Sequence, residues 1–357
     1  MQLSTLNLGI FLAYWIDYGF TQSYTASFAW RVPCILQCIF LVPMLFLLTL
    51  VPETPRWLAS HASSPAASLD VLTRLHKHHR TPEEIDALHK SIVTTSELEK
   101  SLGAGSWKDL LRNDSIQSQR RFLIACAIQA FQQLGGINAL IYYSNTLFSQ
   151  SLQFDDHLSA LMSGFLQTWF FVASFIPWLL IDRVGRRILL LSMISVMAAV
   201  MIVQTGLIYN VQNKTSIAKQ CGIGAAAMLF IFEGAFTIGF QATVWVYPSE
   251  ILPLRLRQRG SSVSTACNWI FNYMVVQVTP VAIGNIGYKF YIVFAVLNTA
   301  WLPVIYFFCP ETKGMELEEV DRLFAKDDGV RQELEGTVAG AEKWEAENQV
   351  EAGTSSG

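Results

Sequence analysis

The sequence predicts an all-α membrane protein of about eight transmembrane helices. Three observations carry that prediction. Of 357 residues, 52% are hydrophobic and 12% aromatic, while 15% are charged, against about 25% in soluble chains. The mean hydropathy is +0.34. The charges also cluster, leaving long windows almost bare, each sufficient to cross a core roughly 30 Å thick at about 1.5 Å per residue. The formal net charge of −3 says little about partners, because loop charges rather than the total set a membrane topology.

In order, the predicted spans are 4–22, 33–51, 122–146, 158–181, 188–210, 222–247, 262–284 and 288–309. Met1 leads almost directly into the first, without the basic stretch or cleavage site of a secretory leader. Basic residues mark alternate loops. Arg56, Arg74, Lys77, Arg80, Lys90, Lys100, Lys108, Arg112, Arg120 and Arg121 lie between spans two and three. Arg183, Arg186 and Arg187 follow span four, and Arg255, Arg257 and Arg259 follow span six. The other loops hold only Arg31, Lys214, Lys219 and Lys289. The positive-inside rule then places both termini in the cytoplasm. Asn213-Lys-Thr215 falls outside, open to glycosylation, and Asn113-Asp-Ser115 falls inside, where it is silent.

Residues 1–51 read as two helices, 52–120 as a cytoplasmic helical linker, 121–310 as a six-helix bundle, and 311–357 as a cytoplasmic tail, disordered after about 326. Within the linker, Thr81-Pro-Glu-Glu84 is a helix start, with Thr81 as cap, Pro82 in the first turn and Glu84 closing a capping box. His76, His78 and His79 lack the i, i+4 spacing of a helical metal site and read as part of a solvated basic stretch. Cys34, Cys38, Cys126, Cys221, Cys267 and Cys309 form no Cys-x-x-Cys pair and read as small buried apolar residues. No metal, cofactor or nucleic acid is expected.

A tag repeats within the chain. Pro52-Glu53-Thr54 ends span two and Pro310-Glu311-Thr312 ends span eight, six spans later and on the same side. A six-helix unit ending in this tag explains both. The second unit is then complete, and the first holds only its last two helices.

The most informative segment is Gln132-Gln-Leu-Gly-Gly-Ile-Asn138, continuing to Tyr142-Tyr143 inside span three. Amides at membrane depth are costly unless they face a cavity or other helices. On an ideal helix Gln133 stands about 100° from Gln132 and Asn138 about 240° from it. The three converge only if Gly135-Gly136 unwinds the helix. A discontinuous helix of this kind suits a polar, uncharged solute; helix–helix packing is the competing reading. Trp245, still within span six, offers an indole for stacking or an interfacial anchor. Asn268 and Asn272 share one face of span seven. At the basic ends, Asp182-Arg-Val-Gly-Arg186-Arg187 and Glu250 beside Arg255, Arg257 and Arg259 suit ion pairs that form in one state and part in another.

Together these motifs resemble the sugar porters of the major facilitator superfamily, with a fungal character. The matches are Pro52-Glu-Thr-Pro-Arg56-Trp-Leu58, Gln132 to Asn138 with Tyr142-Tyr143, Asp182 to Arg187, Trp245 with Tyr247-Pro-Ser-Glu250 and Arg257, Asn268-Trp269, and Pro310-Glu-Thr-Lys-Gly314. The resemblance implies a twelve-helix fold, of which this chain corresponds to helices five to twelve. It implies sugar contacts from Gln132, Gln133, Asn138, Tyr143, Trp245 and Asn268. It also implies a cytoplasmic gate built from Glu53, Arg56, Asp182, Arg186, Arg187, Glu250 and Arg257. Two positions depart from the pattern. Phe170 stands where many hexose transporters of the family carry a sugar-binding asparagine, and Gln241 offers a replacement amide.

The expected function is transport of a monosaccharide across the plasma membrane by alternating access, as a proton symporter when full length, with a sugar, protons and the bilayer as partners. A polyol or disaccharide carrier, a sugar-sensing receptor and a non-functional truncated fragment remain alternatives. The short tail argues against a sensor. An enzyme is not expected, because the intramembrane residues form no nucleophile, base or metal set.

Overall fold

The computed structural model describes residues 2–23, 27–61, 65–76, 81–102, 107–315 and 317–326. Helices α1 (Gln2–Ser23) and α2 (Ser27–Leu50) come first, followed by the short α3 (Pro55–His61), α4 (Pro65–His76) and α5 (Pro82–Leu102). Next are α6 (Ser118–Leu134), α7 (Ile137–Thr146), α8 (Asp156–Ala173), α9 (Ile176–Val184) and α10 (Arg186–Gln212). The chain continues through α11 (Ala218–Phe236), α12 (Thr243–Ile251), α13 (Leu254–Ile286), α14 (Lys289–Phe308) and α15 (Leu317–Leu323). Single π-turns follow α7, at Leu147–Ser151, and α11, at Thr237–Gln241.

Six segments among the described residues are long and apolar enough to cross a bilayer: Ser27–Leu50, Ser118–Ser151, Arg186–Gln212, Ala218–Ile251, Leu254–Ile286 and Lys289–Phe308. The pair α8–α9, bent by 44°, makes a seventh. Pro177 near the start of α9 has no N–H to continue the helix, which accounts for the bend. The first predicted span coincides with α1, but Ser4, Asn7, Asp17 and Gln22 dilute its apolar character, and it does not count among the six.

The chain divides into two compact units. One contains the described residues of Phe20–Ser106 together with Leu254–Leu256. Here α3, α4 and α5 pack on one another, burying Leu72 and Ile85, while Ser68 Oγ donates to the Pro55 carbonyl at 2.8 Å. The capping box forms: Thr81 N–H donates to Glu84 Oε2 at 2.9 Å, and Glu84 N–H to Thr81 Oγ1 at 3.3 Å. His76 Nδ1 lies 3.2 Å from the Leu72 carbonyl oxygen; His78 and His79 lie outside the described residues, as does the tail from 327. No residue of α2 is buried. Cys34 and Cys38 are exposed and Cys126 and Cys267 half-buried, which corrects the expectation that all six cysteines are buried: Cys221 and Cys309 are the buried ones.

The other unit contains the described residues of Met1–Gly19, Trp107–Pro253 and Arg257–Gly357. Its centre is α10, which packs most extensively against α11 and α14. Leu190, Ile194, Met197 and Ile208 of α10, with Leu229 and Phe232 of α11, are almost wholly buried. At 27 residues α10 rises about 40 Å, so the turns at its two ends lie on opposite sides of a bilayer core.

Candidate functional site

The segment from Gln132 to Tyr143 breaks where its glycines stand. Helix α6 ends at Leu134 and α7 begins at Ile137, and Gly136 takes φ +97°, a left-handed conformation that glycine adopts without steric cost. A Cβ at Gly136 would sit 2.8 Å from the ring of Phe294, so the close approach of α14 demands glycine too. The Gly135 carbonyl at the break accepts from Asn298 Nδ2 at 3.1 Å, which satisfies a backbone group that would be costly to leave unpaired.

The break lets the amides converge. Gln133 Nε2 donates to Asn268 Oδ1 at 2.9 Å. Asn268 Nδ2 donates to Gln132 Oε1 and Gln129 Oε1, both at 2.7 Å. Asn138 Nδ2 donates to Gln133 Oε1, and Gln129 Nε2 to the Val244 carbonyl at 3.1 Å. Five side chains from α6, α7 and α13 thus form one hydrogen-bonded chain, and all are buried. Two groups are left over: Gln132 Nε2 and Asn138 Oδ1 take part in no hydrogen bond among the described residues. The cluster thus leaves an amide nitrogen and an amide oxygen uncommitted, which together match the two hydrogen-bonding modes of a hydroxyl.

The other predicted binding residues are Tyr143 on α7 and Trp245 on α12. Tyr143 Oη donates to the Val276 carbonyl at 3.1 Å, tying α7 to α13. Trp245 is one residue past Val244 and 39% exposed. Asn272 is buried one turn beyond Asn268. Gln241 is not spare. It exchanges reciprocal amide bonds of 2.6 and 3.1 Å with Asn7 of α1, and Asn7 Nδ2 also reaches the carbonyl of buried Phe170 at 3.3 Å.

A second cluster occupies the arginine-rich end of the same unit, with Arg186 as its hub. Its guanidinium pairs with Glu250 at 3.0 Å and with Asp182 at 3.1 Å. Glu250 Oε2 accepts from Thr312 Oγ1 at 2.5 Å. Glu311 receives the backbone N–H groups of Arg186 at 2.8 Å and Arg187 at 3.0 Å, so the repeated tag supplies the carboxylate that caps α10. Gly185, the single residue between α9 and α10, has φ +103°, and a Cβ there would strike Glu311 Oε2 at 2.6 Å. Asp182 is 77% exposed and contributes little; the Arg186–Glu250 pair is the sheltered one. Arg187 goes elsewhere, donating to the Tyr306 carbonyl at 2.6 Å and lying over the Tyr306 ring. Arg257 reaches the Leu252 carbonyl at 3.4 Å. Glu53 and Arg56 belong to the other unit, where both are exposed.

Several contributors escaped the sequence reading. Gln129 lies four residues before Gln133, on the same helix face, and that spacing was available. Asn298 was visible as a lone amide in an apolar span. Glu311 and Thr312 stand out in the sequence as a repeated tag and a family motif, without a role in the ion-pair cluster. Arg121, read as a loop charge, is buried and ion-paired with Asp321 at 2.6 Å, while its Nε donates to the Ile251 carbonyl. Nothing in the local sequence pairs residues two hundred positions apart.

Comparisons with known proteins agree with this architecture. The chain is 35% identical over 334 residues to the sugar transporter STL1 of Saccharomyces cerevisiae, covering 92% of this chain and 56% of that protein. It is 33% identical over 320 residues to the MFS-type transporter oryC of Aspergillus oryzae, covering 88% and 58%. The chain thus spans about half the length of the curated relatives it matches. Among solved structures, the proton:xylose symporter XylE from E. coli, bound to 6-bromo-6-deoxy-D-glucose, superposes with a TM-score of 0.70 at 22% identity, covering 91% of this chain and 67% of that one. That likeness establishes an all-α major facilitator fold. Residues 1–324 match the family described as "Sugar (and other) transporter", and the chain belongs to that family.

Proposed function

We propose that the chain binds a monosaccharide and acts in its transport by alternating access. Gln132, Gln133, Asn138, Tyr143, Trp245 and Asn268 are the substrate-binding residues in this reading. The observation that carries it is the spare donor on Gln132 and the spare acceptor on Asn138, held on a buried amide chain at a broken helix. Neutral amides bind hydroxyls without the large desolvation cost of charged groups. The cluster around Arg186 and Glu250 is the gate, with Asp182, Arg187 and Arg257 beside it, and Glu53 and Arg56 belong to the equivalent device in the first repeat. Residues 1–51 then form part of one bundle, 52–120 link, and 121–310 form the other bundle, with both termini cytoplasmic in the plasma membrane. The names of STL1 and XylE, a sugar transporter and a proton:xylose symporter, support sugar as the substrate and protons as the coupling ion.

The direct test is equilibrium binding to the purified chain across hexoses, pentoses, polyols and disaccharides. Saturable binding of one class is expected. Gln132→Ala and Asn138→Ala are each expected to weaken it by about fivefold to tenfold, the loss of roughly 1 kcal/mol per hydrogen bond. No binding across the panel, or unchanged affinity in both variants, overturns the site. Saturable uptake of the bound sugar by cells lacking their own transporters then tests transport itself.

A further inference from the structure

We propose that Glu233 is a proton-binding site inside the bundle, which alternates between a buried neutral acid and a hydrated carboxylate. The proposal rests on reading the chain as a membrane transporter. Glu233 sits on α11, near the middle of the span Ala218–Ile251. It is 0% exposed, and neither carboxyl oxygen has a hydrogen-bond partner among the described residues. An isolated ionised carboxylate in such a place costs far more than a protonated one, so the group holds its proton in this conformation.

No neighbour offsets that cost. Helix α11 packs against α10, α8, α7 and the π-turn at Thr237–Gln241. Their ionisable groups are Arg186, Arg187 and Tyr209 on α10, Asp156 and His157 on α8, and Tyr142 and Tyr143 on α7. None of them is a hydrogen-bond partner of the Glu233 carboxyl among the described residues. A residue that serves packing alone needs no carboxylic acid here; the acid adds the capacity to take up and release H⁺.

The means of release lies one turn away. The π-turn begins at Thr237, whose Oγ1 donates to the Glu233 backbone carbonyl at 2.6 Å. A π-turn holds one extra residue, and moving that residue along the helix turns the segment before it by about 100°. Such a turn carries the Glu233 side chain out of its dry position to water, where the acid dissociates to carboxylate and H⁺. The reverse movement follows reprotonation.

Infrared spectroscopy of the purified full chain in lipid bilayers at neutral pH tests the proton directly. A protonated-carboxyl C=O stretch is expected, shifted by ¹³C-glutamate labelling of the unmodified protein and missing from Glu233→Gln. Absence of a label-sensitive band, or the same band in Glu233→Gln, overturns the proposal. The labelled unmodified protein decides even where the variant fails to fold. In proteoliposomes, sugar-evoked proton entry is expected to be lost in Glu233→Gln while sugar counterflow persists; undiminished proton entry refutes the alternation. If no sugar binds at all, the sugar reading fails, and the infrared band still judges the proton site.

Discussion

At the scale of single residues, Gly136 bears the geometry of the break. Gly136 combines φ +97° with a Phe294 ring that leaves no room for a Cβ. Gly136→Ala is expected to destabilise the protein by about 1–3 kcal/mol through backbone strain and overpacking. Thermal unfolding in detergent measures this, and Phe294→Ala in the same chain should return the packing part but not the backbone part. The sequence announced this site well: adjacent glycines among amides that cannot share an ideal helix face require an unwound turn. It could not announce Asn298, whose role depends on α14 meeting the break, nor the reciprocal pair of Gln241 with Asn7. Those contacts are fixed by packing between distant segments.

At the scale of elements, the beginning of α10 shows how the fold uses its repeated tag. Two of its first N–H groups are taken by Glu311, and a carboxylate at a helix start also answers the helix dipole. Glu311→Ala is expected to cost about 1–2 kcal/mol, and Glu311→Gln less, since an amide oxygen still accepts. Urea unfolding of the purified variants ranks them; equal stability of all three proteins would refute the cap. The long helices were legible because apolar runs of bilayer length admit few other readings. The bend between α8 and α9 was partly legible through Pro177. The two π-turns were not, because Leu-Phe-Ser-Gln-Ser and Thr-Ile-Gly-Phe-Gln carry no composition that separates a π-turn from an α-helix.

At the scale of the molecule, the alternation of basic and bare loops predicts the proposed topology. Lys214 follows the end of α10, and Lys313 lies beside its start, donating to the Arg183 carbonyl at 2.6 Å. With about 40 Å of helix between these ends, a cysteine at each should be reached from opposite sides of the membrane. Lys214→Cys is expected to react with an impermeant maleimide in intact cells, and Lys313→Cys only after permeabilisation, each read against the parent chain. Labelling of both from one side would reverse or refute the proposed orientation. The fold class was legible from hydropathy alone, and the family from six ordered motifs. The grouping into units was less so, since α1 joins the larger unit through contacts such as Ser4 Oγ to the Ser174 carbonyl at 3.1 Å.

The pairing of Arg121 with Asp321 bears on how the protein can be engineered. Arg121 lies in the first turn of α6, yet its counter-charge arrives only after the last apolar span has ended. A reporter spliced directly behind Phe308 would keep every apolar span and still strand a cation in the interior. Removing one partner of such a pair costs about 3–5 kcal/mol. The stretch that carries Asp321 is therefore a structural part of the bundle, and any fusion junction belongs beyond it.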